Sequence, residues 1–207
     1  LLRVSEDDKN TAYLRSIDFP FVVVGRPDNP EEVLWVNNDN ISAMYNVVEK
    51  LIKKGHRKIG FVGAIENLNM SKDRFIGYKN ALFDNKISYD ESIVVHKDEF
   101  IENEGQSACN ELLQNKDITA IVTTDDLIAF GIMKELKLKN IDNISIVGFN
   151  NTPLSAYQNP PLATVDINAY ELGYSAAKLL INNLEGKEHA KRHYIVDTEF
   201  IERESFI

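Results

Sequence analysis

Apolar positions along the chain fall into short continuous runs separated by stretches with helical spacing. FPFVVVG (19–25), VLWV (33–36), KIGFVG (58–63), SIVVH (92–96), TAIVTT (119–124) and ISIVGF (144–149) read as strands. They do not alternate with polar residues, which predicts burial on both faces. Between Asp39 and Lys54, Ile41, Met44, Val47, Val48, Leu51 and Ile52 recur at helical spacing, with Asp39 at the start and Gly55 as the stop. Ser71–Asn85, Glu102–Gln114 and Asp126–Lys137 also read as helices, and the polar segment Asp8–Arg15 as a short one. Strands joined by helices of this length predict a parallel sheet with right-handed crossovers. After Asn151 the rhythm breaks. Pro153, Pro160 and Pro161 exclude a regular helix there, and the segment suits a connection crossing between two lobes. A helix over Ala169–Leu184, with Gly186 past its end, and a single strand over 193–201 complete the pattern.

Polar residues that stand out sit where strands end and helices begin, the place where an open parallel sheet binds its ligands. If Ser71 caps its helix, Arg74 lies in the first turn, where a cation is disfavoured by ~0.3–1 kcal/mol unless something holds it. Either Asp73 compensates and Arg74 points to water, or Arg74 faces a ligand in the crevice. One of Asp125 and Asp126 is expected to be an N-cap, leaving the other to accept hydrogen bonds from a ligand hydroxyl. One of Asn150 and Asn151 suits a turn, and the other can offer donor and acceptor together to a polyol. Phe100, in the acidic stretch DEFIENEG, either anchors its loop or forms an apolar platform for a ligand.

Composition narrows the partners. The 207 residues carry a formal charge of −9, which disfavours a direct grip on nucleic acid. No apolar run reaches the ~20 residues of a membrane span. Cys109 is the only cysteine, so an internal disulfide and a cysteine-rich zinc site are excluded, and the residue reads as a small core side chain. The basic run Lys53, Lys54, His56, Arg57, Lys58 complements a helix carboxyl terminus. His56, His96, His189 and His193 lack metal-ligand spacing, and Gly60 with Gly63 makes no dinucleotide fingerprint. No activated nucleophile with its base is present. Leu1-Leu2 read like a strand end, so the start of the protein is expected to be missing, and the lack of a signal peptide is uninformative.

With FPFVVVGRP, LIKKGHRKIGFVG, SKDRFIGYKNAL, TAIVTTDDLIAFGIM, ISIVGFNNTPLSAYQNPPLATV and YELGYSAAKLL in this order, the chain resembles the effector-binding core of the lac-repressor/gal-repressor family. GRPDNPEEVLWVNNDN most resembles repressors of maltose or related glucoside operons. The resemblance implies two α/β lobes of periplasmic-binding-protein type, flavodoxin-like with parallel sheets, joined by three crossover strands around the effector. Residues 1–36 and 164–190 are then expected in an incomplete amino-terminal lobe, and 37–163 with 191–207 in the other. By position, Arg74 matches an arginine that binds effector hydroxyl or carboxylate groups, and Phe100 an aromatic that stacks on the ligand. Asp125 stands where the family usually has Asn and Asn150 where it usually has Asp, which leaves the pocket's charge pattern open. Arg26 lies near another family contact, and Ser71, on the helix of Arg74, completes the expected set. The resemblance further implies a cytoplasmic homodimer with a sugar effector, reaching operator DNA through a head domain absent here, and neither an enzyme nor the holder of a cofactor or metal. The alternatives are a transporter's sugar-binding protein, which shares the architecture, and a hydrolytic or phosphoryl-transfer enzyme. The missing nucleophile, metal set and phosphate loop weigh against the enzyme.

Overall fold

In the computed structural model, the described residues are all of 1–207 except 3, 4, 6, 7, 116 and 188–191; His189 therefore lies outside them. The elements in chain order are α1 (Lys9–Ser16), β1 (Val22–Val24), β2 (Leu34–Asn38), α2 (Asn40–Lys53), β3 (Ile59–Ala64), α3 (Asn69–Asp84), β4 (Val94–Lys97), α4 (Glu102–Leu112), β5 (Ala120–Thr123), α5 (Asp126–Leu138), β6 (Ser145–Asn150), β7 (Ala163–Asp166), α6 (Ala169–Leu184), β8 (His193–Val196) and β9 (Glu199–Ile201). Short 3-10 turns cover Glu91–Ile93 and Pro153–Tyr157.

The strands sort into two sheets. The first has the order β1-β2-β8, all parallel, and Leu2 adds a parallel bridge to Val24. Helix α6 buries Leu172, Ala176 and Leu179 against Val22, Leu34, Val36 and Val196. The second sheet has the order β4-β3-β5-β6-β7-β9, parallel except for the antiparallel pair β7–β9. One of its faces carries α2 and α3 over Phe61, Val122, Val147 and Phe149; the other carries α4 and α5 over Val62, Ile121 and Ile146. Both faces are thus covered, as the unbroken apolar runs of β3, β5 and β6 imply.

Helix boundaries follow the local chemistry. Asp39 caps α2 by accepting from the Ser42 N–H, and Gly55, at φ +110°, takes the conformation that ends it. Asn168 caps α6, and Gly186 follows at φ +65°.

Several expectations are corrected. Helix α3 begins at Asn69 behind Leu68, which makes no side-chain cap, so Ser71 is inside the helix and Arg74 is past its first turn. The proline-rich segment does not cross between the sheets as a whole: after the 3-10 turn it supplies β7, paired in parallel with β6. Residues 163–166 thus belong to the second sheet, although 164–190 was expected with the first lobe. Likewise 193–201 is two strands. β8 joins β2 in the first sheet and β9 joins β7 in the second, with only Asp197 and Thr198 between them. Asn37 and Asn38 also extend β2, where the boundary was expected after Val36. An interruption of two residues leaves no mark on an apolar pattern, which is why the sheet switch is invisible to it.

Candidate functional site

Several segments meet in a cavity of about 450 Å³ at the carboxyl ends of the central strands, between the two sheets. Arg26, Arg74, Phe100, Asp125 and Asn150 all line it. Its apolar wall includes Val24, Met70, Ile167 and Leu172.

Arg74 is its deepest charge, only 3% exposed. The guanidinium lies over the Phe149 ring, 3.6 Å from the centroid. Its Nε donates to Asn40 Oδ1 at 2.9 Å and its Nη1 to the Thr124 carbonyl at 2.6 Å. Nη2 has no hydrogen-bond partner among the described residues. Burial pushes the group down to about 9, opposed by Asp125, Asp126 and Asp73. It therefore remains a cation at neutral pH. A planar fork held at two corners, with the third nitrogen unengaged by any described residue, is suited to receive oxygen from a ligand.

Asp125 is the N-cap of α5: Oδ1 accepts from the Leu127 N–H, and Oδ2 accepts from Asn150 Nδ2, both at 2.8 Å. The expected division of labour between the two aspartates is therefore drawn differently. Asp125 both caps and lines the cavity, whereas Asp126 is fully buried and structural. Asp126 accepts from the Thr152 N–H, Ser155 Oγ and Thr164 Oγ1, tying α5 to the 3-10 turn and β7. Desolvation raises its pKa against the pull of those donors. Asn150 has φ +108° and Asn151 φ +50°, conformations that Asn tolerates better than most residues. Asn151 is also held, donating to Asp166 and accepting from Arg203.

Arg26, on the loop after β1, makes a two-pronged pair with Asp73 of α3, Nε–Oδ2 3.0 Å and Nη2–Oδ1 2.7 Å. The hydrogen bonding of its guanidinium to the Asp73 carboxylate is the main reason its pKa is raised. Asn69 adds bonds from α3 to the Arg26 carbonyl and Asp28 Oδ1. These contacts close one rim of the cavity. Ser71 does not face it: its hydroxyl donates to the Ala64 carbonyl at 2.7 Å and fixes the end of β3 to α3.

The sequence reading passed over an amide cluster. Asn37, Asn38, Asn40 and Asn69 all line the cavity and all are buried. For Asn37, Asn38 and Asn40 the signal was the NNDN run directly after an apolar strand, in which only Asp39 was given a structural role.

Comparison with known proteins gives the family of this fold. Residues 48–206 match the periplasmic binding protein-like domain. The chain is 31% identical over 196 residues to the HTH-type transcriptional regulator MalR of Staphylococcus xylosus, covering 93% of this chain. It spans 57% of that relative's length. A crystal structure described as the transcriptional regulator LacI of Bacillus cereus subsp. cytotoxis NVH 391-98 superposes with a TM-score of 0.94 at 38% identity, over 99% of this chain and 74% of that one. A complex of the regulator CelR with cellobiose gives a TM-score of 0.93 at 27% identity, over 99% and 64%. These relatives are transcriptional regulators and not enzymes. With its two parallel-rich sheets and the cavity between them, the chain belongs to the periplasmic binding protein-like family, as an effector-binding domain of the LacI type.

Proposed function

We propose that the chain is the sensor of a sugar-responsive transcriptional repressor and that it binds a small neutral sugar, a maltose-like glucoside, between its two sheets. The observation that carries this reading is the convergence of Arg26, Arg74, Phe100, Asp125 and Asn150, from well-separated parts of the chain, on one cavity. Its volume is in the range of small-molecule sites, roughly 300–1,000 Å³. Arg74, Asp125 and Asn150 hydrogen-bond sugar hydroxyls, and Phe100 covers an apolar sugar face. Arg26 acts at the rim, already committed to Asp73. The similarity to MalR and the cellobiose bound to CelR support a glucoside as the ligand class.

The response is allosteric. Sugar shifts the relative orientation of the lobes only as far as it binds one orientation better than the other, and operator affinity changes by linkage. The operator is read by a helix-turn-helix segment outside these residues, in a homodimer whose symmetry matches a palindromic site.

The test is thermal unfolding with maltose, cellobiose, glucose and glucose 6-phosphate. A ligand at 100 times its Kd stabilises the folded chain by about 2.7 kcal/mol. At least one neutral glucoside should raise the melting temperature, and Arg74→Ala should weaken its calorimetric affinity by about 1.5–3 kcal/mol, the worth of a charged hydrogen bond. No shift with any of the four sugars, or an unchanged affinity in Arg74→Ala, overturns the assignment.

A further inference from the structure

Three passages connect the sheets. The first runs from β2 into α2 at residues 38–40, the second from β7 into α6 at 166–169, and the third from β8 into β9 at 196–199. Any rotation of one lobe against the other must be taken up in the backbone torsions of these segments. Asn38 sits in the first passage, 4% exposed. Its Nδ2 donates to the Ile167 carbonyl in the second at 3.0 Å and to the Val196 carbonyl in the third at 2.9 Å.

We propose that Asn38 is the clasp of the hinge, a single buried amide that joins all three passages and limits how the lobes swing about the cavity. The two acceptors lie 129 and 158 residues away in sequence, so no local turn explains the bonds. An amide donates two hydrogens in one plane. Both are used on main-chain oxygens, and the passages are held together at the level where they must bend.

The clasp also connects to the site. Asn40 Nδ2 donates to Asn37 Oδ1 at 3.2 Å and to the Asn38 carbonyl at 3.3 Å, while its Oδ1 receives Arg74. The passage that carries Asn38 thus sets the position of the cavity's deepest cation. An oligopeptide hinge with three independent strands would permit twisting as well as closing. Tying them selects a common bending mode and keeps the cavity walls in register. This inference deepens the sensor reading and relies on it for the identity of what closes the lobes.

The experiment measures inter-lobe distance by fluorescence transfer in the full chain, with donor and acceptor dyes on Tyr170→Cys in α6 and Phe83→Cys in α3. Both positions are more than four-fifths exposed, at 81% and 82%, and the native Cys109 is buried. In the absence of sugar, Asn38→Leu, which keeps the bulk and removes both donors, should broaden the distance distribution and shift it to longer values. Asn38→Ser, which retains one donor, should fall between the two and serves if the leucine variant does not fold. Saturating maltose or cellobiose should narrow the distributions, with apparent affinity reduced in proportion to the lost closed fraction. Sugar-free distributions equal to the parent's in the folded variants overturn the clasp. A parent chain that responds to none of the four sugars of the thermal test removes the sensor reading and leaves the hinge test intact, because that test is read without ligand.

Discussion

Asp125 and Asp126 are adjacent in sequence and have different roles, because successive residues at a helix start point in different directions. Asp125 faces the cavity, within the field of Arg74. Asp126 accepts three hydrogen bonds away from it. Asp125→Asn keeps a good N-cap and, because the Asn150 amide is part-buried and can turn its oxygen toward the new donor, should cost less stability than Asp126→Asn while altering sugar affinity. Asp126→Asn replaces one accepting oxygen with a donor facing buried donors, and should cost about 1–3 kcal/mol in urea unfolding at neutral pH. The sign of the pH dependence follows from the raised pKa of Asp126. A raised acid favours its protonated form in the folded state, so its contribution is full below the unfolded value near 3.8 and declines as pH rises through the folded value. The stability of the parent relative to Asp126→Asn should therefore fall as pH rises from about 4. A rise over that range contradicts the assignment. The sequence showed that one of the pair caps α5. It could not show which, because the choice rests on Thr152, Ser155 and Thr164, which meet Asp126 only after β7 is in place.

At the scale of elements, the second sheet depends on close helix contact. A Cβ on Gly131 of α5 would overlap the Glu102 carbonyl oxygen of α4, and one on Gly105 of α4 would overlap the Ile128 carbonyl oxygen of α5. The two backbones touch directly, so only hydrogen fits at either position. Gly131→Ala should destabilise the chain by at least ~1–3 kcal/mol, the range for overpacking. Gly173 in α6 is a control: nothing lies within 4 Å of its added Cβ, so Gly173→Ala should stabilise by about 0.4–1 kcal/mol through helix propensity and unfolded-state entropy. Melting temperatures moving in the same direction for both contradict the packing argument. The helices themselves were readable, α6 with both bounds as expected, because an amphipathic period and a cap are local. The glycine contact was not, since it depends on which helix lies alongside.

For the whole molecule, the two sheets are fastened at two places, by the passages around Asn38 and by the Arg26–Asp73 pair with Asn69. The Arg26 side chain is 41% exposed but that of Asp73 only 5%, so losing the arginine leaves a buried carboxylate without its partner and costs stability. The pair should also set lobe orientation: Arg26→Ala should enlarge the sugar-free radius of gyration in small-angle scattering as well as lower the melting temperature, and an unaltered radius contradicts a rim latch. The sequence by itself determined an α/β chain with parallel, doubly covered strands, and it placed Arg74, Phe100, Asp125 and Asn150 at strand ends, because burial period and capping are written in neighbouring residues. Only the tertiary structure decided that residues 193–201 divide between two sheets, that Arg26 meets Asp73 and that Asn38 holds all three passages. Those outcomes depend on register between segments up to 158 residues apart, and no local pattern records it.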